Sequence, residues 1–126
     1  MTTEELIRTS SHRIAAALLE SAKNAKKEAE VRIACEREIG LLAKEANITL
    51  EGRHEFAVYS GFVDSVYDKV IIEYKNPSSP SDRIGKDLQS AGSNKLVAQI
   101  KSRFYDLRIQ EGRTLNSLLG VGIDGN

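Results

Sequence analysis

Small and apolar residues recur along the first 46 residues at the spacing of an amphipathic helix. They form a stripe with alternating steps of three and four: Ala15, Leu18, Ala22, Ala25 and Ala29. Thr2 and Glu5 have the spacing of a capping box, and no proline interrupts the stretch. Because polar residues cluster near Asn24, the pattern predicts either two helices or one long helix bent there. The stripe suits close packing on another helix, within the chain or in a second copy.

After Asn47 the pattern changes to the alternation that is typical of strands. Residues 54–60 and 61–67 alternate, and residues 70–75 form the strongest strand signal of the chain. Ser60-Gly61 and Asp68-Lys69 are the predicted tight turns, so the three strands should form an antiparallel meander. Pro77 ends the third strand, since proline cannot continue a central strand.

The last third of the chain predicts a helix followed by a fourth strand. Ser79 should cap a short helix that has Pro80 at its first position. Ser93 should cap a longer helix over residues 94–110, with Gly112 as its stop. Its apolar stripe is Leu96, Ile100, Phe104 and Leu107. Residues 118–123 are the predicted fourth strand.

The order of elements predicts an α/β (α+β) fold in a single domain over residues 1–126. Its helical N-terminal part covers residues 1–46, and a core of strands and helix covers residues 47–126. Asp124-Gly125-Asn126 is a hairpin turn signal with no second strand after it. We therefore expect the natural protein to continue beyond this domain.

Two-residue turns fix the residues that face each other across the meander. Around Asp68-Lys69 this register places Asp64 opposite Glu73, and around Ser60-Gly61 it places Ala57 opposite Asp64. Opposed residues have Cβ atoms ~5 Å apart. Two ionised carboxylates at about that distance repel by roughly 3 kcal/mol at an effective dielectric constant near 20. A divalent cation between them would turn this repulsion into a binding site, because hard cations prefer oxygen ligands.

A metal site at Asp64 and Glu73 would suit phosphodiester hydrolysis. A bound ion lowers the pKa of a coordinated water and offsets negative charge that grows on the phosphate. Lys75 points to the same face as Glu73 and could orient the attacking water or stabilise that charge. The main-chain carbonyl of Tyr74 is a further candidate ligand. The alternative reading is a solvated strand face, with Asp64 serving as a turn cap.

Two segments carry a family resemblance: Gly61-Phe62-Val63-Asp64 and Ile71-Ile72-Glu73-Tyr74-Lys75. Together they resemble the motif of the PD-(D/E)XK nucleases. They are most similar to the N-terminal nuclease domains of large single-chain restriction–modification and translocating restriction enzymes. With the order of the elements, the resemblance covers roughly residues 30 to 125.

The resemblance implies a restriction-endonuclease-like core and a Mg²⁺-dependent endonuclease that cuts double-stranded DNA, with Mn²⁺ as a substitute ion. It makes Asp64 and Glu73 the metal ligands and Lys75 the catalytic lysine. It also implies a restriction or phage-defence enzyme, in which further domains of the same polypeptide accompany this one.

The departures from the family pattern define accessory candidates. Val63 stands where the family name has proline. Many relatives place a glutamine and a tyrosine four residues apart on the following helix, whereas here Gln99 is followed by Arg103 at that spacing. A glutamate on the preceding helix often contributes in relatives, and Glu38 is the candidate here. Glu55, on the first strand, is a second acidic candidate.

Charge and composition refine this picture. The chain has 18 basic and 18 acidic residues, which is a mild argument against an autonomous DNA-binding protein. Residues 75–108 nevertheless hold seven basic residues against three acidic ones. The candidate DNA contacts in this segment are Arg83, Lys86, Lys95, Lys101 and Arg103. The single cysteine, Cys35, excludes an internal disulfide and suits the cytoplasm. No apolar run approaches the ~20 residues that a membrane-spanning helix needs.

Three alternatives stay open at this stage. The fold could have lost activity and serve as a DNA-binding or scaffolding domain. The chain could be a helical interaction module that self-associates through its N-terminal helix. It could also be a repair or junction-resolving nuclease of the same fold.

Overall fold

The computed structural model describes residues 2–25, 27–87 and 89–124. They form a mixed α+β structure with three helices and a four-stranded sheet. The helices are α1 (Thr3–Asn24), α2 (Glu28–Glu45) and α3 (Ala91–Glu111), and the strands are β1 (Arg53–Val58), β2 (Gly61–Tyr67), β3 (Val70–Tyr74) and β4 (Leu119–Ile123). Single 3₁₀ turns lie at Pro80–Asp82 and Leu115–Ser117.

The N-terminal region folds as two helices, which confirms one of the two predicted forms. Thr2 and Glu5 make the predicted capping box at the start of α1. Ala25 is buried after the end of α1, and Leu18 and Ala22 pack against the same core cluster. Three members of the small-residue stripe therefore pack inside the chain itself.

The sheet has the order β1-β2-β3-β4, with the first three strands antiparallel and β4 parallel to β3. The predicted register of the second hairpin is confirmed, as Ser65 pairs with Ile72 and Tyr67 with Val70. The predicted register of the first hairpin is wrong. Its turn is Tyr59-Ser60, so Ala57 lies opposite Phe62 and not opposite Asp64.

An irregularity in the first hairpin also changes which residues share a face. Val63 and Val66 lie in one core cluster with Leu107 of α3, although residues three apart on a regular strand face opposite sides. The β1–β2 ladder passes over Glu55 and Asp64, and Glu55 has a positive φ of 49°. The pairs on both sides of this break keep one register, so each strand has one unpaired residue there, and the alternation of β2 shifts by one residue.

Both faces of the sheet are covered, whereas the alternation predicted one core face and one site face. Ile72 and Tyr74 pack with Val31 and Cys35 of α2. Ile71 and Val66 share the face of Glu73, as regular alternation along β3 and the β2–β3 register predict, but α3 covers that face and buries them. The prediction failed because it treated the strands as regular and assumed that only one side of the sheet was covered.

Helix α3 begins three residues earlier than predicted, at Ala91. Its cap is Ser90, whose Oγ accepts a hydrogen bond from the Ser93 N–H. Ser93 cannot serve as the cap, because it lies inside the helix and its buried hydroxyl donates to the Gly85 carbonyl. Gly112 ends the helix in the left-handed conformation, as predicted.

Helix α3 packs closely on β4 because β4 carries glycine at two contact positions. A Cβ atom at Gly122 would lie 2.1 Å from the Leu96 side chain, and one at Gly120 would lie 2.5 Å from Ile100. The predicted fourth strand is thus confirmed, and it packs against α3. The predicted hairpin signal covers residues 124–126. Asp124 accepts a hydrogen bond from the Ile84 N–H. Gly125 and Asn126 lie outside the described residues.

Candidate functional site

The two predicted metal ligands meet where the regular β2–β3 ladder ends. Asp64 lies at the break in the β1–β2 ladder, and its Oδ2 accepts a hydrogen bond from the Tyr74 N–H over 2.7 Å. The last ladder pair on this side is Ser65 with Ile72, so no regular pair joins Asp64 to Glu73. The two carboxylates still lie close enough to interact. Burial, and then the charge of Asp64, raise the pKa of Glu73 to about 7.

Two donors from α3 hold the buried Glu73 carboxylate. Gln99 Nε2 lies 3.3 Å from Glu73 Oε2, and Arg103 Nε lies 3.2 Å from Glu73 Oε1. Lys75 Nζ donates in turn to Gln99 Oε1. The structure therefore brings the predicted accessory residue Gln99 into the site, where it links Glu73 to Lys75.

Arg103 connects this site to the β1–β2 turn. Its Nη1 donates to Ser60 Oγ over 2.6 Å, and the Ser60 hydroxyl donates to Asp106 Oδ2. The same Asp106 oxygen accepts the Ser60 main-chain N–H over 2.8 Å. Gln110 Oε1 accepts the N–H of Tyr59, the other residue of the turn, over 2.8 Å.

These contacts come from one polar stripe of α3, of which only Gln99 was predicted as an accessory residue of the site. Its members are Gln99, Arg103, Asp106 and Gln110. Their steps of four, three and four place them on one side of a helix. This spacing is visible in the sequence, and it runs beside the apolar stripe that was used to predict the helix. It is the signal that could have identified the network.

A cavity of about 360 Å³ opens beside Asp64, with Glu28, Arg32, Glu55 and Phe62 among its lining residues. Glu28 lies in the first turn of α2. Burial, and then the charge of Asp64, raise the pKa of Glu28. Glu28 is thus a second acidic residue near Asp64 that the sequence reasoning did not identify. Its position follows from the break before α2, which sets the first turn of that helix beside the sheet.

The structure separates the two acidic accessory candidates. Glu55 lines the cavity beside Asp64, and its Oε1 lies 3.0 Å from Arg32 Nη1. Glu38 is buried elsewhere on α2, with its carboxylate 3.6 Å from Arg13 of α1. The glutamate that α2 brings to the cavity is therefore Glu28, whereas Glu38 contacts Arg13 of α1 and the neighbouring Arg37.

The basic residues predicted to contact DNA fall into two groups: four are exposed and one is buried. Arg83, Lys86 and Lys101 are exposed, and the exposed Lys95 forms an ion pair with Asp82 at 3.1 Å. Arg103 is only 8% exposed and points at Glu73. Its prediction as a surface contact to DNA is wrong, because the buried carboxylate draws its guanidinium into the site.

The residues at this site fit a hard divalent cation with few protein ligands. Within residues 2–25, 27–87 and 89–124, no group of three or more His, Cys, Asp or Glu side chains is placed to hold a metal ion. Asp64 and Glu73 alone offer two carboxylates side by side. Mg²⁺ is commonly bound by one or two carboxylates and keeps several of its waters, which is compatible with this donor set. The Tyr74 carbonyl, predicted as a further ligand, belongs to the same end of β3.

Comparison with protein-family models, with curated proteins and with solved structures finds no match to this chain. Across the described ranges, no helix combines the length and the apolar character that crossing a membrane requires.

Proposed function

We propose that this chain is a Mg²⁺-dependent DNA endonuclease domain that hydrolyses phosphodiester bonds and accepts Mn²⁺ in place of Mg²⁺. One observation carries the proposal: Asp64 lies beside the buried Glu73, and Gln99 links Glu73 to Lys75. Two carboxylates and an amine in one network have the chemistry that metal-assisted phosphodiester hydrolysis uses. The mixed α+β fold is compatible with a restriction-endonuclease-like core, and we propose such a core together with the activity.

In this site Asp64 and Glu73 would hold the ion, which supplies an activated water and offsets negative charge on the phosphate. Each Glu73 oxygen accepts one hydrogen bond from α3. Since a carboxylate has about four lone-pair sites, both oxygens keep room for a further ligand. The Lys75 ammonium donates one hydrogen bond to Gln99 Oε1, which leaves two of its three protons for a phosphate oxygen or a water.

The substrate and the cellular setting follow from the resemblance and from the charges. We propose double-stranded DNA as the substrate and a cytoplasmic restriction or phage-defence enzyme as the context. Further domains of that polypeptide would deliver the DNA. Exposed Arg83, Lys86 and Lys101 give this chain a modest basic surface of its own.

A second candidate function is an inactive nuclease-like domain that binds DNA or serves as a scaffold. The buried ion pair between Glu73 and Arg103 favours it. The Arg103 guanidinium offsets part of the Glu73 charge, so the carboxylate has a partner in the fold other than a metal ion. The two functions differ in whether Asp64 and Glu73 bind a cation and whether Lys75 affects cleavage.

The deciding experiment is nicking of supercoiled plasmid DNA with protein in large excess, so that weak DNA binding does not hide the chemistry. We compare the unmodified chain with Glu73→Gln, Lys75→Met and Glu38→Gln, each with Mg²⁺, with Mn²⁺ and with EDTA. Glu38→Gln is the matched control, because that buried glutamate is paired with α1.

The proposal expects metal-dependent nicking by the unmodified chain and by Glu38→Gln. Glu73→Gln and Lys75→Met should each lose at least about 100-fold in rate, as removal of a single transition-state donor does elsewhere. Nicking that persists in Glu73→Gln, or is absent from the unmodified chain with both metals, would favour the inactive domain.

A further inference from the structure

Arg103, in the polar stripe of α3, lies between the β1–β2 turn and Glu73, whose carboxylate we assign as a metal ligand. Arg103 donates through Nε to Glu73 and through Nη1 to Ser60. We propose that Arg103 is a positioning residue that links the Ser60 hydroxyl to Glu73 and thereby holds Glu73 ready for the metal. This inference rests on the proposed function and adds a residue to its site.

The guanidinium suits this role because its nitrogens lie in one rigid plane. When Nη1 is fixed on Ser60, the position and direction of Nε toward Glu73 are fixed with it. The chain also passes close to the group, since a Cβ atom at Gly61 would lie 3.4 Å from Arg103 Nη1. A lysine at position 103 would keep the charge, but its single ammonium on a flexible stem cannot fix the same two contacts.

Ser60 is itself held in a defined orientation. Its hydroxyl has one proton, which it donates to Asp106, so the oxygen faces Arg103 as an acceptor. The Ser60 main-chain N–H binds the same Asp106 oxygen. The hydroxyl thus joins Arg103 to an anchored point of the turn. Residues that orient a metal ligand without touching the metal typically change metal affinity by 10- to 100-fold when they are mutated.

The chain offers a matched control for this relay. Gln110 binds the main-chain N–H of Tyr59 in the same turn and belongs to the same polar stripe of α3. The described contacts of Gln110 are with Tyr59 and with the Ala57 carbonyl, and none of them is with Arg103. Loss of Gln110 therefore loosens the turn without removing the bond between Ser60 and Arg103.

Mn²⁺ binding to the 126-residue chain, followed by electron paramagnetic resonance, tests the inference. The variants are Ser60→Ala, Ser60→Thr, Arg103→Lys and Gln110→Ala, with melting curves to confirm that each is folded. We expect Ser60→Ala to weaken Mn²⁺ binding about tenfold. Ser60→Thr keeps the hydroxyl and should retain the affinity of the unmodified chain, and Gln110→Ala should stay within about twofold of it. Arg103→Lys should behave like Ser60→Ala.

Equal weakening in Ser60→Ala and Gln110→Ala would overturn the relay, since it would trace the effect to general loosening of the turn. Unchanged binding in Ser60→Ala would also overturn it, and in both cases the proposed function would stand. If the unmodified chain itself binds no Mn²⁺, the proposed metal site fails and the inference fails with it. The three results are distinct, so failure of the relay and failure of the site cannot be confused.

Discussion

The carboxylate of Asp64 accepts a hydrogen bond from the main-chain N–H of Tyr74 over 2.7 Å, just beyond the last regular pair of the β2–β3 ladder. The side chain thus satisfies a main-chain donor that the ladder does not reach. This contact fixes the Asp64 carboxylate at the end of β3, next to Glu73. A feature of the backbone, the break in the β1–β2 ladder at Asp64, thereby places one acidic group of the proposed site.

Two substitutions separate the structural role of Asp64 from its charge. Asp64→Asn keeps an oxygen that can accept the Tyr74 N–H, so we expect a melting temperature close to that of the unmodified chain but no Mn²⁺ binding. Asp64→Ala leaves that N–H without its partner, which should cost about 1–3 kcal/mol of unfolding free energy. Thermal and urea unfolding measure both effects. Equal destabilisation by the two variants would show that the hydrogen bond is not what holds this end of the sheet.

Glu73 should make the stability of the metal-free protein depend on pH. Its pKa is raised to about 7 by burial and by Asp64, so folding favours its protonated form. Glu73 therefore contributes stability that is fully present below the usual glutamate pKa and is lost as the pH rises through about 7. We expect the melting temperature to fall between pH 5 and pH 8 by on the order of 5 °C more than in Glu73→Gln.

Melting curves of both proteins in EDTA, measured across that pH range, check this expectation. Glu73→Gln is the suitable control because its side chain resembles the protonated carboxyl and cannot titrate. Parallel pH profiles of the two proteins would show that Glu73 has an ordinary pKa. Added Mn²⁺ should reduce the difference, since a cation favours the ionised carboxylate.

Local signals were sufficient to predict much of the fold. The capping box of Thr2, the tight turn at Asp68-Lys69 and the stop at Gly112 each depend on a few adjacent residues. The register that brought Asp64 toward Glu73 was correct for the same reason, because a two-residue turn determines the pairs that follow it.

The sequence was less informative where long-range packing decides the conformation. The break in the ladder at Glu55 and Asp64 and the packing of α3 on the second face of the sheet have no signal in the local alternation of residues. Regular alternation therefore assigned several residues to the wrong face. The role of Arg103 was missed for a related reason: a basic residue on a helix suggests solvent or DNA until the buried Glu73 carboxylate is placed beside it.

The two glutamates of α2 give a prediction that only the structure supplies. Glu28 lines the cavity beside Asp64, while Glu38 is paired with α1. Glu28→Gln removes negative charge near the proposed ion, so we expect weaker Mn²⁺ binding than in Glu38→Gln at an unchanged melting temperature. Calorimetric titration of both variants compares them directly. Weaker binding in Glu38→Gln than in Glu28→Gln would reverse this assignment.

The chain alone should bind DNA weakly and cut without sequence preference. Affinity for DNA comes largely from neutralising phosphates, and this chain has a net charge of zero. Arg103, one of the seven basic residues in the segment 75–108, is buried on Glu73 and adds nothing to the surface. Titration of a labelled duplex at ~150 mM salt should show only weak binding. Fusion to an unrelated DNA-binding module should direct cutting to sites near that module's target.

Submicromolar, sequence-selective binding by the chain alone would contradict this expectation. It would show that recognition of DNA lies within these 126 residues.

The position of a bound ion tests the proposed function most directly. Crystals of the chain soaked in Mn²⁺ and measured at the manganese absorption edge locate the ion by its anomalous signal. The proposed function predicts a peak between the carboxylates of Asp64 and Glu73, about 2.1 Å from an oxygen of each, and no such peak in Glu73→Gln. Crystals that show no peak there, with Arg103 still bound to Glu73, would contradict the metal site and favour the inactive domain.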